Sequence, residues 1–203
     1  MASLGPITLT GKHIRLEPMR PTHAPALLEA GRAAEIWEWM PNRPLDPAAM
    51  EGWLKKAMQA ESIGREYPFV VSLVPSGRLV GSTRYLEVQE DDRTVEIGWT
   101  WYAPDTWGSI VNPEAKYLLM RHAFDDWSAI RVALKTDIRN LHSQAAIKKL
   151  GAKYEGLLRN QRIRPDGSYR DTVLFSITER EWPAVKSRLE QRIERLTPQE
   201  TAT

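Results

Sequence analysis

Val95-Glu96-Ile97-Gly98-Trp99-Thr100-Trp101, then Asp105-Thr106-Trp107-Gly108-Ser109-Ile110-Val111, then Asn112-Pro113-Glu114-Ala115-Lys116: a β-rich run, a loop of small residues and a helix start follow in immediate succession. β-Branched and aromatic residues over Thr94–Tyr102 predict a strand. Asn112 is a good N-cap and Pro113 a good first helical residue, so a helix is expected from about Pro113 to Trp127. Ala115, Leu118, Leu119, His122 and Ala123 mark its apolar face. Such a junction presents free backbone N–H groups and the positive end of a helix dipole, which suit a phosphate or pyrophosphate. Geometry alone favours the plainer reading, a simple strand-to-helix connection.

Working outward, Pro68–Val74 and Leu79–Val88 read as strands around the turn Pro75-Ser76-Gly77. With Thr94–Tyr102 beyond the polar turn Glu90–Arg93 they make an antiparallel meander. Ile7–Met19 reads as a first strand with Gly11-Lys12 as a turn or bulge inside it. Between it and the meander lie a helix from Ala24 to about Ala33 and a helical turn at Ile36–Met40. A second helix follows, opened by Asp46-Pro47 and ending near Gly64, with Met50, Trp53, Leu54, Ala57 and Met58 as its stripe. Downstream come a β segment at Arg131–Thr136, a helix over Asn140–Leu150 closed by Gly151, and a hairpin. The hairpin joins Tyr154–Arg164 to Tyr169–Ile177 around Pro165-Asp166-Gly167. A terminal amphipathic helix, Glu179–Leu196, precedes a frayed tail at about 197–203. The order β-α-α-βββ-α-β-α-ββ-α predicts one α/β domain over 1–203, with a mixed, mostly antiparallel sheet of about seven strands and helices on both faces.

Composition narrows the function. A net charge of +2 over 203 residues gives no field for nucleic acid or a membrane surface. The absence of cysteine excludes disulfides, thiolate catalysis and Cys-ligated metals. Met1–Pro6 has no basic n-region and no stretch approaches about 18 apolar residues, so neither a secretory signal nor a membrane span is expected, and the cytoplasm is the default location. Eight tryptophans exceed what such a chain ordinarily carries; they fill core, line a pocket, or both.

A second informative stretch is Thr136-Asp137-Ile138-Arg139-Asn140-Leu141-His142-Ser143, continued by Ala146-Ile147-Lys148-Lys149-Leu150-Gly151-Ala152 and Tyr154-Glu155-Gly156. A strand ends at Asn140, and Asn140, Ser143 and Ile147 fall roughly on one helix face. Asn140 is read either as an N-cap alone or as a ligand-facing amide, and Ser143 either as a solvated residue or as a reactive hydroxyl.

Together with Leu9–Leu16, Val80-Gly81-Ser82-Thr83-Arg84, Glu96-Ile97-Gly98-Trp99 and Arg170-Asp171, this stretch resembles the GNAT superfamily of N-acetyltransferases, in its RimJ/RimL-type branch. The resemblance runs over about residues 7 to 180. It implies a sheet splayed between the fourth and fifth strands, with the pantetheine arm of acetyl-CoA in the gap. Backbone groups of Thr100, Trp101 and Tyr102 would pair with that arm, as would Asn140. The run Trp107, Gly108, Ser109, Ile110, Val111 and Asn112 would hold the pyrophosphate, and Lys148 would reach the nucleotide phosphates unless it belongs to a solvated cluster. Ser143 would protonate the leaving thiolate, with Tyr102 as the alternative acid and Glu96 as a candidate base; Glu96 also reads as half of a cross-strand ion pair. The loop departs from the family pattern: Trp107 stands where Gln is usual and Ile110 where a second Gly is usual, so Ile110 either obstructs the phosphates or turns into the sheet.

The implied activity is transfer of an acetyl group from acetyl-CoA to a primary amine by direct attack in a ternary complex, with no metal. The acceptor would be a protein N-terminus or a small-molecule amine. The competing reading is a non-catalytic acyl-CoA-binding module on the same fold. The stripe Trp182, Val185, Leu189, Ile193 and Leu196 on the terminal helix needs cover, from its own sheet or from a second subunit, and family members are often homodimers.

Overall fold

The computed structural model describes residues 3–164 and 166–197. Among the described residues eight strands form a single sheet: β1 (Leu9–Thr10), β2 (Ile14–Pro18), β3 (Glu66–Leu73), β4 (Leu79–Gln89), β5 (Thr94–Tyr102), β6 (Arg131–Asp137), β7 (Lys153–Ile163) and β8 (Tyr169–Thr178). Their spatial order is β1-β2-β3-β4-β5-β6-β8-β7. Every pairing is antiparallel except β5 with β6. Five helices flank it: α1 (Ala24–Ala30), α2 (Pro47–Ser62), α3 (Val111–Arg121), α4 (Leu141–Leu150) and α5 (Trp182–Leu196).

The expected mixed sheet is present, with one strand more than counted from sequence. Gly11-Lys12 does not bulge a single first strand; it turns the chain so that Leu9 pairs with Leu16 and Thr10 with Arg15. The turn is clamped from a distance. The Glu114 carboxylate accepts from the Lys12 N–H at 2.6 Å and from the His13 N–H at 3.2 Å. Glu114 is buried, so this charge-assisted clamp replaces water for both partners. The interaction spans about a hundred residues of chain and leaves no local signature.

Alternation along the strands feeds two cores. Val95 and Ile97 of β5, Val132 and Leu134 of β6, and Val173, Phe175 and Ile177 of β8 pack with α3, α4 and α5. Met19, Val70 and Trp101 pack with α1 and α2 on the other face, where Trp37, Trp53 and Trp101 form an aromatic cluster with centroids 4.9–6.3 Å apart. Trp182, Val185 and Leu189 of the α5 stripe are buried within this chain, so most of the stripe needs no second subunit. Of the expected tail, residues 198–203 lie outside the described residues, as does Pro165 of the hairpin turn.

The start of α3 differs from expectation. Ile110 is already in the helical region (φ −68°, ψ −20°) and its carbonyl accepts from Glu114 N–H at 3.0 Å. The helix therefore begins at Val111, Asn112 lies inside its first turn rather than capping it, and the N-cap residue Ile110 has no side-chain acceptor to offer. Pro113 is tolerated because first-turn N–H groups have no intrahelical acceptor. At the far end a π-helical turn, His122–Asp126, replaces the last expected α-turn. No helix among the described residues is long and apolar enough to cross a membrane.

Candidate active site

The parallel pairing of β5 with β6 stops after Glu96–Ala133, three residues into β5. Beyond it the two strands part. The cause lies on the other edge of β5, where Ser82 pairs with Trp101 and Arg84 with Gly98, so Trp99 and Thr100 together oppose Thr83. This is a β-bulge, which adds twist and bends the strand. Trp99 takes a left-handed φ of 50°, a conformation most side chains avoid. Arg84 holds it there: its guanidinium lies 4.9 Å from the Trp99 ring centre and 4.5 Å from that of Trp53, and pairs with Glu66 at 2.8 Å.

A cleft of about 500 Å³ passes through the opening. On the helical face of α3 and α4 it is lined by Gly108, Asn112, Lys116, Asn140 and Ser143; on the opposite face by Glu96, Lys135, Arg170 and Trp99. The structure thus brings together Glu96, Thr100, Trp101, Tyr102, Trp107, Gly108, Asn112, Asn140 and Ser143. Ser109, Ile110, Val111 and Lys148 do not line it. Ser109 instead links the turn, donating to Thr106 and accepting from Val111 N–H at 3.3 Å. Val111 is buried in the core, Ile110 is half-buried and Lys148 is exposed.

The loop at the α3 end fits a diphosphate. The N–H groups of Gly108, Ile110 and Asn112 have no partner among the described residues. Gly108 adopts φ 73° with nothing within 4 Å of the space a Cβ would occupy, so the backbone there is open to close approach. Trp107, 51% exposed, is anchored by its indole N–H to the Tyr102 carbonyl at 2.8 Å.

Two hydroxyls of residues lining the cleft have no partner among the described residues. Tyr102 is buried and its Oη makes no hydrogen bond among the described residues; burial raises its pKa, so it carries its proton near neutral pH and does not act as a base there. Ser143 Oγ is likewise free, while the Ser143 N–H donates to Asn140 Oδ1 at 2.9 Å. Asn140 is therefore both N-cap and cleft residue: its carbonyl oxygen caps α4, leaving its NH₂ for a ligand. Gly151 closes α4 in the left-handed conformation, as expected. Glu96 is ion-paired with Lys135 at 2.7 Å, the cross-strand partner left open by the sequence. Glu155 is engaged by Arg131 and by Ser176 Oγ at 2.6 Å, away from the cleft.

Lys116 carried no assigned role in the sequence. Its side chain is buried, donates to Thr100 Oγ1 at 2.7 Å, and is pulled down to about pKa 7 by desolvation. Thr100 Oγ1 lies 2.8 Å from Thr83 Oγ1, which extends the network across β4. A strongly perturbed amine in a cleft wall is a candidate for a functional position. Position 116 follows Ala115 of the apolar α3 face; only the contact with β5 distinguishes it from a solvated lysine.

A sheet opened between parallel strands beside an anion-ready helix start makes a cleft that suits a long ligand carrying a phosphate group. The family model for the acetyltransferase (GNAT) domain matches residues 13–153, and the chain belongs to that family. Similar proteins agree. The proposed ribosomal N-acetyltransferase YdaF of Bacillus subtilis (strain 168) is 29% identical over 114 residues, 56% of this chain and 61% of that protein, so the match spans less than two thirds of that relative. The crystal structure of a proposed acetyltransferase from T. thermophilus is 36% identical, covers 95% of this chain and 99% of its own, and superposes with a TM-score of 0.84. Mycobacterium smegmatis RimJ, solved in complex with CoA-disulfide, is 25% identical over 95% of this chain and 97% of its own, with a TM-score of 0.80.

Proposed function

We propose that the protein, acting as one domain, transfers an acetyl group from acetyl-CoA to a primary amine by direct attack in a ternary complex. The observation behind this reading is the cleft that crosses the sheet between β5 and β6, with unpartnered amides on one face and Glu96 on the other. The free N–H groups of Gly108, Ile110 and Asn112 receive the pyrophosphate, and the freed edge of β5 at Thr100–Tyr102, with the Asn140 amide, receives the pantetheine arm. The amine attacks the thioester carbonyl from the Glu96 face, and its proton passes to Glu96 directly or through water. Carbon–sulfur cleavage then releases the thiolate, which takes a proton from Ser143 or Tyr102. Lys148, exposed on α4, meets the nucleotide phosphates.

The acceptor is a protein N-terminus or a small-molecule amine, and the naming of YdaF as a ribosomal N-acetyltransferase favours the former as the first to test. The proposal places the protein in the cytoplasm as a homodimer. The contact would be the edge strand β7, where Leu157, Leu158 and Ile163 are exposed; the mass in light scattering tests it. The activity test is thiol release from acetyl-CoA with a panel of peptide and small-molecule amines. Amine-dependent release is expected. Tight CoA binding without release for any amine would favour a non-catalytic acyl-CoA-binding module instead.

A further inference from the structure

On the acceptor face of the cleft two arginines stand side by side. Arg162 of β7 and Arg170 of β8 are directly paired in the ladder, and both line the cleft. Like charges directly opposite across two strands destabilise a sheet. The carboxylates of the adjoining strands β5 and β6 are already committed. Asp137, buried at the end of β6, takes Arg164 through two hydrogen bonds of 2.7 and 2.8 Å and also accepts from Arg139 N–H at 2.9 Å. Glu96 takes Lys135. Arg170 Nε is 3.8 Å from Asp137 Oδ2, too far for a hydrogen bond, and although shielded from water it has no partner. Arg162 makes no ion pair among the described residues. A shielded guanidinium N–H without an acceptor is a costly arrangement that native structures rarely keep without a use.

Strand alternation places this pair. Val173, Phe175 and Ile177 face α3, α4 and α5, so Arg170 and Thr172 face the other way, as do Lys135 and Asp137 of β6 and Glu96 of β5. The arginines therefore lie across the sheet from the Gly108–Asn112 loop and are not its phosphate ligands. Glu35 and Glu38 also line the cleft, giving its mouth charges of both signs.

We propose that Arg162 and Arg170 form an anion-binding subsite for the acceptor, so that the preferred amine also carries an anionic oxygen group, a carboxylate or a phosphate. Guanidinium groups suit both through paired hydrogen bonds. The inference rests on the acyl-transfer reading and deepens it.

Two matched pairs of amidated dipeptides separate the sources: Ala-Glu against Ala-Gln for carboxylate, and Ala-phosphoSer against Ala-Ser for phosphate. Acetylation efficiency by thiol release and calorimetric affinity for the CoA-loaded protein are measured for each. At least one anionic member is expected to be favoured by about tenfold, the worth of one charge-assisted hydrogen bond. That ratio should fall towards one in Arg170→Gln and in Arg162→Gln. Arg162 is exposed, so its variant carries the test if Arg170→Gln disturbs the Asp137 network. A wild-type ratio of one in both pairs, or a preference untouched by either substitution, overturns the subsite. If no dipeptide is acetylated yet the calorimetric preference exists and vanishes in the variants, the subsite stands and the acyl-transfer reading falls.

Discussion

Replacing Lys116 with methionine should stabilise the fold near neutral pH and lose that advantage as the pH rises. Lys116 is 6% exposed, makes one hydrogen bond, to Thr100, and titrates at about 7 in the fold instead of 10.5 because burial disfavours its charge. Between those values the unfolded chain holds a proton that the native amine has released, so raising the pH through this window favours folding. Below about pH 7 the native protein bears the whole penalty of a buried ammonium. At about 1.36 kcal/mol per pH unit the interval corresponds to roughly 5 kcal/mol. Methionine fills a similar unbranched volume, and the lost hydrogen bond removes about 1 kcal/mol, since Thr100 still has Thr83 at 2.8 Å.

Lys116→Met should therefore be more stable than wild type by roughly 3–4 kcal/mol at pH 6, with the difference shrinking through pH 8 and reversing slightly near pH 10.5. Urea unfolding at pH 6, 8 and 10 measures it, with unchanged m-values as the check that only native-state energetics have moved. A difference independent of pH, or a variant less stable than wild type at pH 6, would refute the reasoning, because either result means the amine is solvated or paired.

Other perturbations address different parts of the molecule. Gly11→Ala would put a Cβ 2.8 Å from Glu114 Cδ and push out the carboxylate that clamps Lys12 and His13; a loss of roughly 2–4 kcal/mol should appear in thermal unfolding. Ile110→Gly should lower stability by roughly 1–2 kcal/mol, less than a fully buried isoleucine would, because the side chain is only half-buried. It should leave CoA affinity unchanged, because only the side chain is removed and the Ile110 N–H offered to the pyrophosphate stays; tighter binding would show that the side chain obstructs the phosphate loop. Ser143→Ala should lower turnover by at least about tenfold with little change in CoA affinity, since a leaving-group acid acts in the transition state. Equal turnover would make Ser143 a bystander and leave Tyr102 as the acid.

What the sequence made legible was what local chemistry encodes. Asp46 caps α2 by accepting from Ala49 N–H at 2.8 Å, and the apolar periods of α2 and α3 picked out residues that are buried. The family motifs brought Glu96, Asn140 and Ser143 to one cleft. What stayed hidden depends on contacts distant in sequence. Glu114 clamps a turn a hundred residues away, and turned one expected strand into two. Asn112 and Pro113 suit a helix start, but Ile110 had already entered the helical region, which moved the start upstream. Lys116 looks like a surface lysine until Thr100 is placed above it, and nothing in the sequence around Trp99 announces a left-handed residue wedged by Arg84.

The central claim is that the opening between β5 and β6 is where an acyl-CoA crosses the sheet. A crystal structure of the protein with CoA tests it most directly. The account predicts the pyrophosphate on the N–H groups of Gly108, Ile110 and Asn112, the pantetheine arm along Thr100–Tyr102 within reach of the Asn140 amide, and the thiol beside Ser143 and Tyr102. CoA bound at any other surface, with the cleft between β5 and β6 empty, would contradict it.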